Sequence, residues 1–277
     1  MYQIIKRDDL SPGVVRMVVH APRVAKKALP GQFIILRVDE DGERIPLTIS
    51  DYNRETGDVT IVFQEVGKTT KLLGMKKEGE SIPTFVGPLG RPSHVEGIKS
   101  AAVIGGGLGT AIAYPQAKAL HEAGARVDVI AGFRNKDLII LEDELKHAGT
   151  NVYITTDDGS NGKKGFVTDV LRELLEGGAK YDEVIAIGPL PMMKFVCKLT
   201  KEYGVKTTVS MNPIMIDGTG MCGGCRLTVG GETKFACVDG PDFDGHLVDF
   251  DEAMRRNAMY KQKEREADCL LLKKETE

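Results

Sequence analysis

The chain has 277 residues with 37 basic and 40 acidic side chains, a formal net charge of −3. At about 150 residues per domain, one large domain or two to three small ones are expected, and the near-even charge argues against the basic face of a nucleic-acid binder. A hydrophobic fraction of 42% fits a globular core, while 6% aromatics and no tryptophan argue against stacking on single strands.

The start, Met1-Tyr2-Gln3-Ile4-Ile5-Lys6-Arg7, has no long apolar stretch of the signal-peptide kind, so a cytoplasmic location is expected. Residues 1–97 read as antiparallel β. Runs such as 13–19, 32–38 and 58–64 are rich in β-branched residues, and Asp41-Gly42, Thr56-Gly57 and Pro88-Leu89-Gly90 punctuate them. Closely spaced strands of this kind predict a small barrel.

From residue 98 to 210 the rhythm changes. Strands at 101–104, 127–131, 152–155, 184–187 and 207–209 alternate with helices at 109–124, 137–147, 166–177 and 191–203. That alternation predicts a doubly wound parallel sheet. Residues 100–117 carry no charge and approach the length of a membrane span, but Gly105, Gly106, Gly107, Gly109 and Pro115 fit a strand, a turn and a helix better. Residues 211–250 show little periodicity and hold three of the five cysteines. Residues 251–277 carry seven charges of each sign and are expected to be a helical tail, either exposed and laced with ion pairs or docking on a partner with Leu270, Leu271 and Leu272 as its apolar anchor.

Three motifs carry chemistry. Asp217, Cys222, Cys225 and Cys237 are separated by four, two and eleven residues, which parallels the plant-type [2Fe–2S] spacing with aspartate in the first position. Glycines at 218, 220, 223 and 224 let the backbone wrap closely around a cluster. Two other readings stay open: a zinc site completed by His246, or reduced structural thiols. The second motif is the turn Gly105-Gly106-Gly107-Leu108-Gly109 after a strand, matched by Gly188-Pro189-Leu190-Pro191-Met192 after a later strand of the same sheet. Two such turns at the carboxyl edge line a nucleotide crevice. The third comprises Ile45-Pro46-Leu47-Thr48 and Gly67-Lys68-Thr69-Thr70 in the barrel. It is not a P-loop, because position 62, where that motif requires glycine, is valine. His20, His94, His121 and His147 are read as ordinary residues, Cys197 as a small buried one and Cys269 as an unliganded thiol.

Together these motifs resemble the ferredoxin–NADP reductase superfamily over about residues 1–250. Within it they resemble the electron-transfer subunits of dihydroorotate dehydrogenase. Phe85–Gly90, Ile104–Gly109, Thr156–Ser160, Gly188–Met193 and Asp217 look most like the small subunits of electron-bifurcating NADH-dependent reduced ferredoxin:NADP oxidoreductases. The resemblance implies an FAD-binding barrel (1–97), an NAD-binding α/β domain (98–210) and a [2Fe–2S] module (211–250). Pro46, Leu47 and Thr48 would lie along the flavin, Thr48 near its reacting nitrogen, and Gly67, Thr69 and Thr70 would hold the pyrophosphate. Gly105, Gly106, Gly107, Gly109, Gly188, Pro189 and Met192 would hold NAD(H), with Asp157 and Asp158 at the adenosine ribose. One departure stands out: the superfamily's phosphate arginine is replaced by Ile45, with Arg44 one place out of register and Lys68 as another cation. The resemblance also implies a larger glutamate-synthase-like flavoprotein partner bearing [4Fe–4S] clusters, and through it ferredoxin and NADP(H). The rival readings are a dihydroorotate dehydrogenase electron-transfer subunit and a zinc-stabilised nucleotide-binding protein that is not an enzyme.

Overall fold

The computed structural model describes the backbone of residues 1–275 and the side chains of residues 1–271, so Leu272 lies outside the described side chains. Strands β1 (Tyr2–Ser11), β2 (Val14–His20), β3 (Phe33–Arg37), β4 (Ile45–Asn53), β5 (Asp58–Gln64), β6 (Ser81–Ile82) and β7 (Thr84–Leu89) form one antiparallel sheet. Its order is β6-β1-β2-β5-β4-β3-β7, and it curls into a nearly closed barrel. The period-two pattern of the sequence decides which face turns inward. On β2, Val15, Met17 and Val19 are fully buried, and on β5 Val59, Ile61 and Phe63 are. Arg16, between two inward residues, faces out and joins Asp8 at 3.1 Å and Glu144 at 2.8 Å. Two short helices, α1 (Pro22–Ala25) and α2 (Lys68–Gly74), complete this unit.

The second unit alternates β8 (Ser100–Gly106), α3 (Gly109–Glu122), β9 (Arg126–Phe133), α4 (Glu142–Ala148), β10 (Asn151–Thr156), α5 (Val167–Glu176), β11 (Glu183–Ile187), α6 (Leu190–Glu202) and β12 (Thr207–Ser210). The strands are parallel in the order β10-β9-β8-β11-β12. Helices cover both faces, which is why β8 is buried without alternation from Ala101 to Ile104. The uncharged stretch 100–117 is therefore this strand, its turn and the first half of α3. Among the described residues no helix is long and apolar enough to cross a membrane.

One helix is shorter than its sequence suggests. The segment expected to be helical from 137 begins its α-helix only at Glu142. Asn135 caps a single tight turn at Lys136–Leu138, after which Ile140 and Leu141 turn inward, Leu141 with φ of +57°. Burying those two side chains outweighs helix continuity.

The remaining chain forms a hairpin, β13 (Arg226–Val229) and β14 (Glu232–Phe235), then α7 (Ala236–Asp239), β15 (Asp242–Asp244), α8 (Phe250–Asn257) and α9 (Lys261–Glu275). The hairpin turns at Gly230 and Gly231, both with positive φ, as a two-residue loop of this kind requires. β15 leaves this module to pair antiparallel with β12 as the sixth strand of the nucleotide sheet.

The three units are pinned together by named bonds. Ser50 Oγ donates to the Ala111 carbonyl at 2.8 Å, and Lys118 reaches Asp51 at 3.0 Å. The Arg91 amide donates to the Gly240 carbonyl at 2.7 Å. Ser93 Oγ donates to Asp242 at 2.5 Å, with Gln116 Nε2 at 3.4 Å from the same oxygen.

Candidate functional site

Strand order reverses between β8 and β11, and at such a switch point the carboxyl ends of an open sheet leave a crevice. A cleft of about 1270 Å³ opens there, facing the barrel. Ligand pockets commonly run to about 1,000 Å³, so this one exceeds what a single drug-sized molecule fills.

The barrel wall is Phe33, Pro46, Leu47, Thr48 and Gln64. Phe33 and Thr48 are paired in the β3–β4 ladder, so the strand edge itself fixes the hydroxyl's position. Opposite stand Gly106, Gly107, Gly109, Gly188, Pro189 and Met192. Their glycines are there for close approach. A Cβ on Gly109 would sit 2.3 Å from the Ile187 carbonyl, and one on Gly106 would sit 2.4 Å from Met192 Sδ. Gly107, at φ +55°, faces open space, leaving room for a ligand against the backbone.

Five of the residues expected in the cofactor site stand outside these walls. Gly105 lies behind the turn, where a Cβ would meet Thr110 Cα at 2.6 Å; it sets how tightly helix packs on strand. Asp158 turns back on its own loop and accepts from the Ser160 amide at 2.9 Å, and the Ser160 hydrogen bonds hold its carboxyl below the usual range. Asp157 does line the cleft. Gly67, Thr69 and Thr70 sit at the start of α2, beside the barrel wall and outside the cleft lining. Thr70 Oγ1 accepts from the Val66 and Gly67 amides at 3.1 Å, closing the helix turn. Thr69 Oγ1 donates to Glu43 at 2.8 Å, so a carboxylate occupies that hydroxyl.

Several lining residues have no motif to announce them. Arg134 follows β9, and Phe166 and Phe195 are each 62% exposed at the mouth. Met254, Asn257 and Lys261 come from the C-terminal helices. Only the unusual exposure of two aromatic rings marks them, and exposure is a tertiary property.

The sulfur loop lies between β12 and the β13–β14 hairpin. Cys225 and Cys237 are buried, with Cys225 Sγ 3.2 Å from Cys237 Sγ, while Cys222 is exposed. Backbone amides point at sulfur: Gly224 to Cys222 at 3.4 Å and Cys237 to Cys225 at 3.5 Å. Gly218, Gly220 and Gly223 all have positive φ, which bends the loop around the sulfurs. Asp217 accepts from the Thr219 amide at 2.8 Å and from the Cys222 amide at 2.6 Å. These amides, Thr219 first, hold its carboxyl below the usual carboxylate range. Burial pushes the Cys237 thiol up, and the neighbouring Cys225 sulfur adds to the shift. Asp217, Cys222 and Cys225 in this glycine-bent loop and Cys237 on α7, with amide donors aimed at sulfur, are the donor types that suit an iron–sulfur cluster. Cys225 and Cys237 are the pair brought together, and among the described residues no three of these groups stand close enough to hold a metal ion.

His246, the fourth ligand of the zinc reading, is engaged elsewhere. Its Nε2 lies 3.0 Å from Thr200 Oγ1 on α6, and that hydroxyl also accepts from Thr207 at 2.6 Å. The zinc reading thereby loses its fourth ligand. Cys197 is buried on α6, its thiol pushed up to about 12 by desolvation, as an inert core residue would be.

Comparison with known proteins agrees with this geometry. The iron–sulfur cluster-binding domain of dihydroorotate dehydrogenase B matches residues 212–249, and an oxidoreductase NAD-binding domain matches residues 103–198. A Thermotoga maritima homolog of the dihydroorotate dehydrogenase B electron-transfer subunit is 48% identical over 263 residues, covering 95% of this chain and 93% of its own. The corresponding subunit of Fusobacterium nucleatum is 34% identical over 242 residues, covering 84% and 92%. A chain from the structure of NADH-dependent reduced ferredoxin-NADP oxidoreductase, studied for flavin-based electron bifurcation, superposes with a TM-score of 0.94 at 45% identity, covering 98% of both chains.

Proposed function

The chain belongs to the family of dihydroorotate dehydrogenase B electron-transfer subunits and their homologues, and from that premise we propose that it is the electron-transfer subunit of an NADH-dependent ferredoxin:NADP oxidoreductase. It is an oxidoreductase subunit that uses FAD, NAD(H) and an iron–sulfur cluster. The observation that carries the reading is the juxtaposition of a dinucleotide-sized cleft at the sheet's switch point with a cysteine loop in the same chain. FAD held against Pro46, Leu47 and Thr48 would supply the conversion between two-electron hydride exchange with NADH and one-electron transfer to an iron–sulfur cluster.

The chain's own residues orient rather than transfer protons. Pro46 and Leu47 give the flavin ring an apolar bed, and the Thr48 hydroxyl offers a hydrogen bond at the reacting edge. Gly106, Gly107 and Gly109 admit nucleotide phosphates against the start of α3, while Gly188, Pro189 and Met192 bound the nicotinamide side. Asp157 takes ribose hydroxyls and repels a 2′-phosphate, favouring NADH over NADPH. Cys222, Cys225, Cys237 and Asp217 hold the [2Fe–2S] cluster. The domain limits we adopt are 1–97, 98–210, 211–250 and the tail.

The partner we propose is a larger glutamate-synthase-like flavoprotein with [4Fe–4S] clusters, which would connect the chain to ferredoxin and NADP(H). A dihydroorotate dehydrogenase partner is the second reading. Identity is higher toward the bifurcating enzyme's chain than toward the Fusobacterium subunit, which favours the first. Five free thiols suit a reducing compartment, so the cytoplasm is the location proposed. Anaerobic purification with mass spectrometry of the co-purifying chain, together with iron, zinc and flavin analysis, tests the reading. Stoichiometric zinc without iron, or a dihydroorotate-oxidising partner, would overturn it.

A further inference from the structure

The C-terminal arm, α8 and α9, touches all three units. Asp251 accepts from Lys194 of α6 at 2.7 and 2.8 Å. Glu252 accepts from the Thr228 amide at 3.2 Å, and Arg256 Nη2 donates to the Gly224 carbonyl of the sulfur loop at 3.3 Å. At its far end, Asp268 pairs at 2.8 Å with Lys71 on α2 of the barrel. Between these anchors Met254, Asn257 and Lys261 face the cleft. The sequence suggests a tail whose charges pair along an exposed helix or serve a partner, but three of its acids are engaged by the rest of the chain.

The cleft's charges favour an anion. Its titratable lining is Arg134, Asp157 and Lys261, two cations against one carboxylate. Among the described residues neither Arg134 nor Lys261 has a carboxylate within salt-bridge distance. The superfamily's phosphate arginine is missing at Ile45, and Glu43 takes the Thr69 hydroxyl. The arm brings a cation, Lys261, to the cleft lining.

We propose that the C-terminal arm is a strap across the dinucleotide cleft, that Lys261 serves the pyrophosphate of a dinucleotide bound there, and that the Lys71–Asp268 pair latches the strap to the barrel. The proposal rests on the reading that this cleft takes FAD and NAD(H). A single ion pair whose side chains are still 27% and 24% exposed is a latch of modest strength, which lets the strap lift for nucleotide exchange.

The test uses the full-length chain, measuring NAD+ affinity by calorimetry and FAD retention by absorbance after gel filtration. Lys261→Gln should weaken NAD+ binding or FAD retention by about three- to tenfold, between an exposed ion pair and a charge-assisted hydrogen bond. Whichever cofactor responds identifies the pyrophosphate served. Lys261→Arg should restore it, added salt should shrink the difference, and iron content should not change. Asp268→Lys and Lys71→Asp should each loosen binding of the same cofactor, and the double reversal should regain it. Unchanged affinity and retention in Lys261→Gln, or no recovery in the double reversal, would overturn the strap. So would Asp268→Lys weakening only association with the partner subunit. Wild-type protein that binds neither cofactor would bring down the functional reading as well; wild-type binding with indifferent variants sinks the strap alone.

Discussion

The nucleotide cleft and the sulfur loop are both built on glycine, yet the glycines do different work. In the cleft they sit between elements of a six-stranded sheet, and a Cβ at Gly109 would come within 2.3 Å of the Ile187 carbonyl and one at Gly188 within 3.1 Å of the Gly106 backbone. The shape is set by ladders and packed helices before any ligand arrives. In the sulfur loop, Gly218, Gly220 and Gly223 supply positive φ, and the nearest support is Asp217 on two amides. Met221 beside Cys222 is 89% exposed. Such a loop takes its final rigidity from the metal it holds, because metal binding and local folding are coupled. One site is preformed by the fold, and the other is completed by its ligand.

Cluster ligation should be the most fragile feature. Cys225→Ser should lower iron from about two per chain to almost none while FAD stays bound. Loss of both cofactors together, by iron assay and flavin absorbance, would show that the two regions do not form independently.

The cleft should tolerate side-chain changes better than added atoms. Gly109→Ala forces β8, α3 and β11 apart, costing about 1–3 kcal/mol of stability. Moving the turn also moves the backbone that faces the cleft, so NAD+ affinity measured by calorimetry should fall severalfold. Retained affinity would mean that the turn is plastic after all.

Asp217 sharpens the contrast, since it shapes the loop through two amides and is also the first ligand we propose for the cluster. Asp217→Cys should keep a [2Fe–2S] centre with a changed EPR spectrum and midpoint potential. Asp217→Ala should make the cluster labile. Identical spectra and potentials in both variants would mean that aspartate only shapes the turn.

On the cleft side, stopped-flow reduction of the flavin should be much faster with NADH than with NADPH, and Asp157→Ser should narrow the ratio. Equal rates in the wild type would remove the carboxylate's role in selection.

The smallest effect concerns the joint between the regions. Asp242 Oδ1 is buried without a partner, and desolvation raises the carboxyl above its ordinary 3.8 despite donors from Ser93, Ser210 and Gln116. A raised folded pKa means the folded state holds the proton more tightly. The stabilisation is fully present below about 3.8, the unfolded value, and fades as pH rises through the folded one. Asp242→Asn should therefore flatten the fall in urea midpoint above that pH. An unchanged pH profile would show that another group titrates.

Much of the fold could be read from order and period. Inward Val15, Met17 and Val19 and the unbroken β8 run follow from one face or two faces being covered, and that pattern is written locally. The spacing from Asp217 to Cys237 also carried the cluster chemistry, because ligand geometry constrains a short loop. Tertiary structure alone decided the rest. It kept Thr69 for Glu43, turned Asp158 onto Ser160, gave His246 to Thr200 and brought Met254, Asn257 and Lys261 to the cleft. Each depends on residues distant in sequence or on a side chain choosing between a ligand and a neighbour. Periodicity and spacing record what a segment can do locally; which partner a side chain meets is settled only when separate elements pack.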